Sequence, residues 1–263
     1  MKFNIFLYYL FQIMKFNICV SIPIKNTSFK EVEPIIADVL KSNPKLIELR
    51  FDYISNIKTL SMDFLRDIVK SIKPYAGVIF TLRDPSEGGQ LKINQKDRFK
   101  ILKMFIESKP DYVDFEMNTD QNIINEIINL ASQNEVKIIF SYHNFEKTIS
   151  FDDTIKLIQN FNNKLIQDLS LDSDVLEEII YKIIFTAQKF EDNLVPLKLC
   201  KEMFNSNQKV ISFCMGPLGI FSRITCILAG SYFTYASLEE KTASGQINVS
   251  KMKEMYNLIL NNQ

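Results

Sequence analysis

Only one histidine occurs in the chain, His143, and it closes an apolar run, "VKIIFSYH" (136–143). A lysine, Lys182, sits inside the most apolar segment, "IIYKIIFTA" (179–187). A lysine in such a place is costly unless it is paired, neutral or functional. The alternative is that it points outward and runs its stem along an apolar surface. Basic residues are 26 Lys against five Arg, namely Arg50, Arg66, Arg83, Arg98 and Arg223. Where lysine is the default, an arginine suggests a need for the planar, bidentate fork. Any one of them could also be incidental.

These residue types form a set. A buried lysine close to cationic groups gives up its proton more easily, so its amine can attack a carbonyl. The imine that results acidifies the neighbouring carbon. A histidine titrating near working pH can take that proton and return one to a leaving hydroxyl. Arginines hold an anionic substrate through bidentate contacts. The set therefore points to imine-mediated elimination or aldol chemistry on a carboxylated keto compound. It calls for no metal and no organic cofactor.

Elements must bring these residues together. Eight apolar, β-rich runs recur: 17–22, 46–51, 77–82, 111–117, 136–142, 181–187, 209–215 and 231–237. Between them lie segments with apolar residues at helical spacing, such as "FKEVEPIIADVLKS", "KDRFKILKMFIES", "QNIINEIINLASQN" and "EDNLVPLKLCKEMFN". "NVSKMKEMYNLIL" reads as a closing helix. Alternating strands and helices imply a parallel sheet covered by helices. An open doubly wound sheet is the rival, but "SIPIKNTSF" after the first strand has no glycine. The expected fold is α/β, a (β/α)8 TIM barrel in a single domain.

In such a barrel the strand carboxyl ends share one mouth, where catalysis occurs. Polar residues crowd these ends: Glu48 and Arg50 on strand two, then Arg83, Glu87 and Gly88-Gly89 after strand three. Asp114 and Glu116 follow on strand four, then His143, Lys182, Met215 with Arg223, and Thr242, Ser244 and Gln246 after strand eight. Glu48 with Arg50, and Asp114 with Glu116, are also readable as structural pairs on one strand face.

Net charge is zero and there is no basic stripe, which argues against nucleic acid. Four scattered cysteines (Cys19, Cys200, Cys214, Cys226) without a CxxC pair read as reduced core thiols in a cytoplasmic protein. With one histidine, a zinc site is not expected. "MKFNI" opens the chain and returns at 14–18, and the apolar run between is too short to span a membrane. Residues 1–13 are expected to be a start-site extension or leader, with the barrel occupying 14–263.

The motifs "ELRFD", "FTLRDPSEGG", "VDFEM", "FSYHNFEKT", "KIIFTAQKFEDNL", "MGPLGIFSR" and "TASGQ" stand in one order along the chain. In this it resembles type I 3-dehydroquinate dehydratases of the shikimate pathway. The resemblance implies a barrel, commonly a homodimer, that removes water from 3-dehydroquinate to give 3-dehydroshikimate. It implies Lys182 as the imine lysine, His143 as general acid/base and Glu87 as the group that orients and tunes it. It implies Glu48, Arg50 and Arg83 as ligands of substrate hydroxyls. Arg223, Gln246 and Thr242 would hold the carboxylate, and Met215 would line the pocket.

Three features depart from the family pattern. "TASGQ" has Ser244 where proline is usual, and Asn144 follows the histidine where aspartate is usual. His143 and Lys182 are 39 residues apart, longer than is usual, which raises Lys164 as a rival. Lys182 is preferred because the apolar strand surrounds it. Two other readings stand beside this one: another imine-forming lyase or aldolase with a phosphate cradle, and a degenerate barrel kept for binding.

Overall fold

The computed structural model describes residues 17–169 and 178–261. Eight strands, β1 (Ile18–Pro23), β2 (Leu46–Arg50), β3 (Gly77–Thr81), β4 (Tyr112–Glu116), β5 (Lys137–His143), β6 (Ile180–Thr186), β7 (Lys209–Met215) and β8 (Thr234–Ser237), form one parallel sheet. Its order, β7-β6-β5-β4-β3-β2-β1-β8, curls into a nearly closed barrel. Among the described residues β7 and β8 share no ladder. That seam is bridged instead by the Tyr232 N–H donating to the Val210 carbonyl at 2.7 Å.

Helices α1 (Phe29–Lys41), α2 (Met62–Ile72), α3 (Gln95–Glu107), α4 (Gln121–Gln133), α5 (Phe151–Leu169), α6 (Leu194–Asn205), α7 (Ile220–Thr225) and α8 (Val249–Asn261) alternate with the strands. Each amphipathic stripe faces the sheet. In α2, for example, Phe64, Leu65, Ile68, Val69 and Ile72 are buried, and Ser61 caps the first turn by accepting from the Phe64 N–H. The core fills the space between strands and helices. There Phe51, Phe80 and Phe105 pack with ring centroids 4.6–5.3 Å apart.

The expected strands hold to within a residue at either end, except that β8 begins at Thr234 rather than Ser231. Gly230 turns the chain in the left-handed region, the Tyr232 N–H is spent on β7, and laddering with β1 starts only at Thr234. Residues 1–13 and Met14 lie outside the described residues. So do residues 170–177 of the long His143–Lys182 interval, whose earlier part extends α5 to 19 residues. All four cysteines are buried and unpaired. No described helix is long and apolar enough to cross a membrane.

Candidate active site

Strand alternation and parallel register build the site in two layers. The lower layer takes one inward residue from each of six strands: Ser21, Glu48, Thr81, Asp114, Ser141 and Lys182. The register places Ser21 beside Glu48, Thr81 beside Asp114, and Ser141 beside Lys182. Their side chains close a continuous network. Ser21 donates to Glu48 at 2.5 Å, Thr81 to Glu48 at 3.0 Å, and Ser141 to Asp114 at 2.6 Å. The Lys182 Nζ donates to Asp114 Oδ2 at 2.8 Å and to Glu48 Oε1 at 3.3 Å, and lies 4.4 Å from the Tyr235 ring centroid.

Lys182 therefore points inward, not to the helix layer. Its nearest charged partners are carboxylates, which corrects the expectation of cationic surroundings. Arg83 reaches Lys182 only across Asp114, whose Oδ2 it shares at 2.8 Å. Burial opposes the charge on Asp114, but Arg83 and Lys182 outweigh it and hold the carboxyl well below the usual carboxylate range. Burial likewise opposes charge on Glu48, while Lys182 and Arg50 bring its pKa below the ordinary value. Lys164, the rival, is exposed on α5, outside the barrel.

The upper layer carries Arg50, Arg83, Glu116 and His143. Asp52 holds Arg50 with a bidentate pair at 2.8 and 2.9 Å. Arg83 gives NH1 to Glu116 at 2.8 Å and to the Ser141 hydroxyl at 2.6 Å. The turn Pro85–Glu87 delivers Glu87, whose Oε2 lies 2.9 Å from His143 Nδ1 and accepts the His143 backbone N–H at 3.1 Å. Both glycines after Glu87 are required. Gly88 has φ +84°, and a Cβ there would lie 2.3 Å from the Phe145 ring; a Cβ on Gly89 would lie 1.9 Å from the Arg83 carbonyl.

Burial pushes the Glu87 carboxyl up to about 8, with Arg83 opposing and Glu116 and Asp114 adding. Burial, Arg83 and Lys182 together push His143 well below the ordinary imidazole value. That corrects the expectation of a histidine titrating near working pH: in this setting His143 is held neutral. Asn144, the departure beside it, accepts the backbone N–H groups of Glu146 and Lys147 at 3.0 and 2.9 Å. An aspartate could accept the same two bonds, so the turn keeps its shape.

Arg223 closes the opposite wall. It is 1% exposed and lies over the Phe213 ring at 4.3 Å. NH2 donates to the Ser244 carbonyl at 3.1 Å, and buried Nε has no partner among the described residues. With no carboxylate beside it, burial pulls its pKa down to about 10. The loop above is pinned by Gln246, whose Oε1 accepts from the Thr242 N–H at 2.7 Å, and by Thr242, which donates to the Ser21 hydroxyl at 2.9 Å.

One cavity, with about 530 Å³ of empty space, is lined by all ten residues expected at the site: Lys182, His143, Glu87, Glu48, Arg50, Arg83, Arg223, Thr242, Gln246 and Met215. Phe145, Phe213 and Tyr235 also line it and were not expected: Phe213 and Tyr235 stand in strand runs, where an aromatic reads as core, and Phe145 in a polar turn. Asp114 was expected at the strand ends but also readable as half of a structural pair, and was given no role; it makes the shorter of the two Lys182 contacts.

A parallel barrel whose mouth gathers a buried amine held by carboxylates, a histidine–carboxyl pair and an arginine without a carboxylate beside it has the layout of a barrel enzyme. A family model described as type I 3-dehydroquinase matches residues 18–263. A 3-dehydroquinate dehydratase of Thermococcus onnurineus is 28% identical over 88% of this chain and 94% of its own length. One from Thermococcus gammatolerans is 30% identical over 84% and 90%. A solved type I 3-dehydroquinate dehydratase of Clostridium difficile is 25% identical, covers 94% and 93%, and superposes with a TM-score of 0.77. The chain belongs to the type I 3-dehydroquinase family, and its activity is that of a dehydroquinate dehydratase of the shikimate pathway.

Proposed function

We propose that the dehydration of 3-dehydroquinate proceeds through an imine on Lys182, with the Glu87–His143 pair moving the protons. The observation that carries this reading is the Lys182 Nζ, buried at the cavity floor between Asp114 and Glu48. Attack requires the free amine, so a proton leaves Nζ before the bond to the ketone carbon forms; it and the second Nζ proton end on the former ketone oxygen, which departs as water. Loss of water from the carbinolamine gives an iminium whose positive charge takes the place of the ammonium beside the same carboxylates.

The iminium acidifies the adjacent C–H. In the pair's one-proton form Glu87 is ionised and the imidazole hydrogen lies on Nδ1 facing it, which leaves the His143 Nε2 to take that proton. The electron pair expels the neighbouring hydroxyl, which leaves as water with a proton returned by the pair. With one proton the Glu87–His143 pair is a base, and with two it is an acid, so a carboxyl near pH 8 lets it serve as both. Hydrolysis of the product iminium frees Lys182.

Arg223 is the carboxylate ligand in this reading, assisted by Gln246 and Thr242, because among the described residues it is the buried cation with no carboxylate beside it. Glu48, Arg50 and Arg83 place the hydroxyls, and Met215 lines the wall. The covalently modified comenic acid in the Clostridium difficile structure supports covalent chemistry in a relative. Cytoplasmic location and a homodimer belong to the same reading. The exposed apolar set Phe190, Leu194, Leu218 and Phe221 is a candidate face for the second copy, and light scattering checks the mass.

The test is borohydride reduction in the presence of 3-dehydroquinate, followed by intact mass and peptide mapping. A reduced adduct on Lys182 is expected. An adduct elsewhere, or none with turnover intact, would overturn the imine assignment.

A further inference from the structure

We infer that Arg98, which lies outside the catalytic cavity, is a positioning residue that sets Arg83 and the Glu87 turn from behind. The inference rests on the roles proposed above for Arg83 and Glu87.

Arg98 projects from α3 toward the ends of β3 and β4. It lines a second cavity of about 580 Å³ with Asp84, Ser86, Glu116, Thr119 and Asp120, and no residue lines both cavities. The carboxylate of Glu116, 1% exposed, stands between the two. On the catalytic side its Oε1 takes Arg83 NH1 at 2.8 Å and the Asp84 N–H at 3.0 Å. On the other side its Oε2 takes Arg98 NH2.

The second arm of Arg98 makes the contact specific. NH1 donates to the Leu82 carbonyl at 2.6 Å, and Nε lies 3.8 Å from Asp84 Oδ2. Arg98 thus grips the residue before Arg83 and the residue after it, while the carboxylate it holds grips Arg83 itself. Asp84 in turn accepts from the Ser86 N–H at 2.9 Å and the Ser86 hydroxyl at 2.7 Å, and so fixes the turn that presents Glu87. A planar fork spans Leu82 and Glu116 in one fixed geometry; a lysine ammonium is a compact charge on a flexible stem that does not impose that geometry. Removing the fork leaves a buried carboxylate oxygen unpaired, and Glu116 then recovers a donor by moving, with Arg83 following.

The experiment compares Arg98→Met and Arg98→Lys, each alone and combined with Arg83→Lys. Steady-state kcat and KM for 3-dehydroquinate are read on proteins checked by circular dichroism and melting. A misplacement on the ångström scale costs up to about 10²-fold, so Arg98→Met is expected to lower kcat/KM by roughly ten- to a hundredfold. Arg98→Lys keeps a charge beside Glu116 and is expected to recover only part of the loss.

In the Arg83→Lys background the Arg98→Met penalty is expected to shrink by more than the factor of about two within which independent sites add. A folded Arg98→Met enzyme with full kcat/KM overturns the inference. So does an undiminished penalty in the Arg83→Lys background, the signature of a purely structural role. If Arg98→Met does not fold, a fully active Arg98→Lys enzyme overturns it as well. Full activity of Arg83→Lys alone instead refutes the role proposed for Arg83, so the two failures are told apart.

Discussion

Arg83 and Arg223 are both almost fully buried, at 3% and 1% exposure, yet their surroundings are opposite. Arg83 meets two carboxylates and a hydroxyl, and although burial opposes its charge, Asp114 and Glu116 raise its pKa well above the ordinary arginine value. Arg223 meets one backbone carbonyl and an aromatic face, and burial lowers it to about 10. One guanidinium belongs to a neutralised frame that orients groups around Lys182. The other is an uncompensated charge, which costs folding energy and is repaid only when an anion arrives.

The sharpest way to break this comparison is to remove each charge. Arg83→Met leaves Asp114 and Glu116 short of a partner, and breaking such a buried pair costs about 3–5 kcal/mol. Arg223→Met removes an unpaired buried donor, so the free protein is expected to gain stability, on the order of 1 kcal/mol. The same variant loses the charged hydrogen bonds proposed for the carboxylate, worth roughly ten- to a hundredfold in KM. Calorimetry on both variants decides: equal destabilisation would show that Arg223 is framework too.

Glu87 sharpens the contrast from the acid side, since burial dominates its neighbours and holds its carboxyl at about 8. At low pH the group is protonated in both folded and unfolded chains and costs nothing. As pH rises from the unfolded value toward 8, the unfolded chain ionises first and stability is lost; above 8 the loss levels off. Glu87→Gln has no such loss. Its stability is therefore expected to exceed the parent's by a margin that grows through pH 5–8, at up to about 1.4 kcal/mol per pH unit, while kcat falls. A margin independent of pH would refute the buried, protonated carboxyl.

The smallest effect is expected at Ser244. Its carbonyl accepts from Arg223 NH2 and the Gly216 N–H, and a proline keeps that carbonyl. Ser244→Pro is expected to stabilise by about 0.4–1 kcal/mol through the unfolded chain, with KM little changed. A large rise in KM would mean that the loop over Arg223 needs its freedom.

Lys182, His143 and the strand-end arginines were legible because polar residues interrupting apolar runs are conspicuous. The eight strands were legible for the same reason, since burial on both faces leaves continuous apolar segments. Asp114 was not legible as the partner of Lys182. The two are 68 residues apart and meet across β5, a proximity that exists only once the register is formed. Arg98 was hidden differently: on an amphipathic helix it looks like any solvated basic residue, and nothing local shows that it reaches inward. The cationic surroundings expected for Lys182 failed for a related reason. Composition shows which charges are present, whereas the layering decides which sign is nearest.

The missing ladder between β7 and β8 has a consequence for hydrogen exchange. The strands on either side carry Phe213, Met215 and Tyr235, and Arg223 and the Thr242–Gln246 loop follow them in the chain. Elsewhere around the barrel, separating two strands breaks a row of backbone bonds; at this seam the backbone bridges are the Tyr232 amide on Val210 and, past the strand ends, the Gly216 amide on Ser244. The wall beside Arg223 is therefore expected to part at smaller cost, and its amides to exchange before those of β2 to β6. The sheet is least tied beside Arg223, the arginine proposed to take the carboxylate, and is laddered on both sides of the strand that holds Lys182.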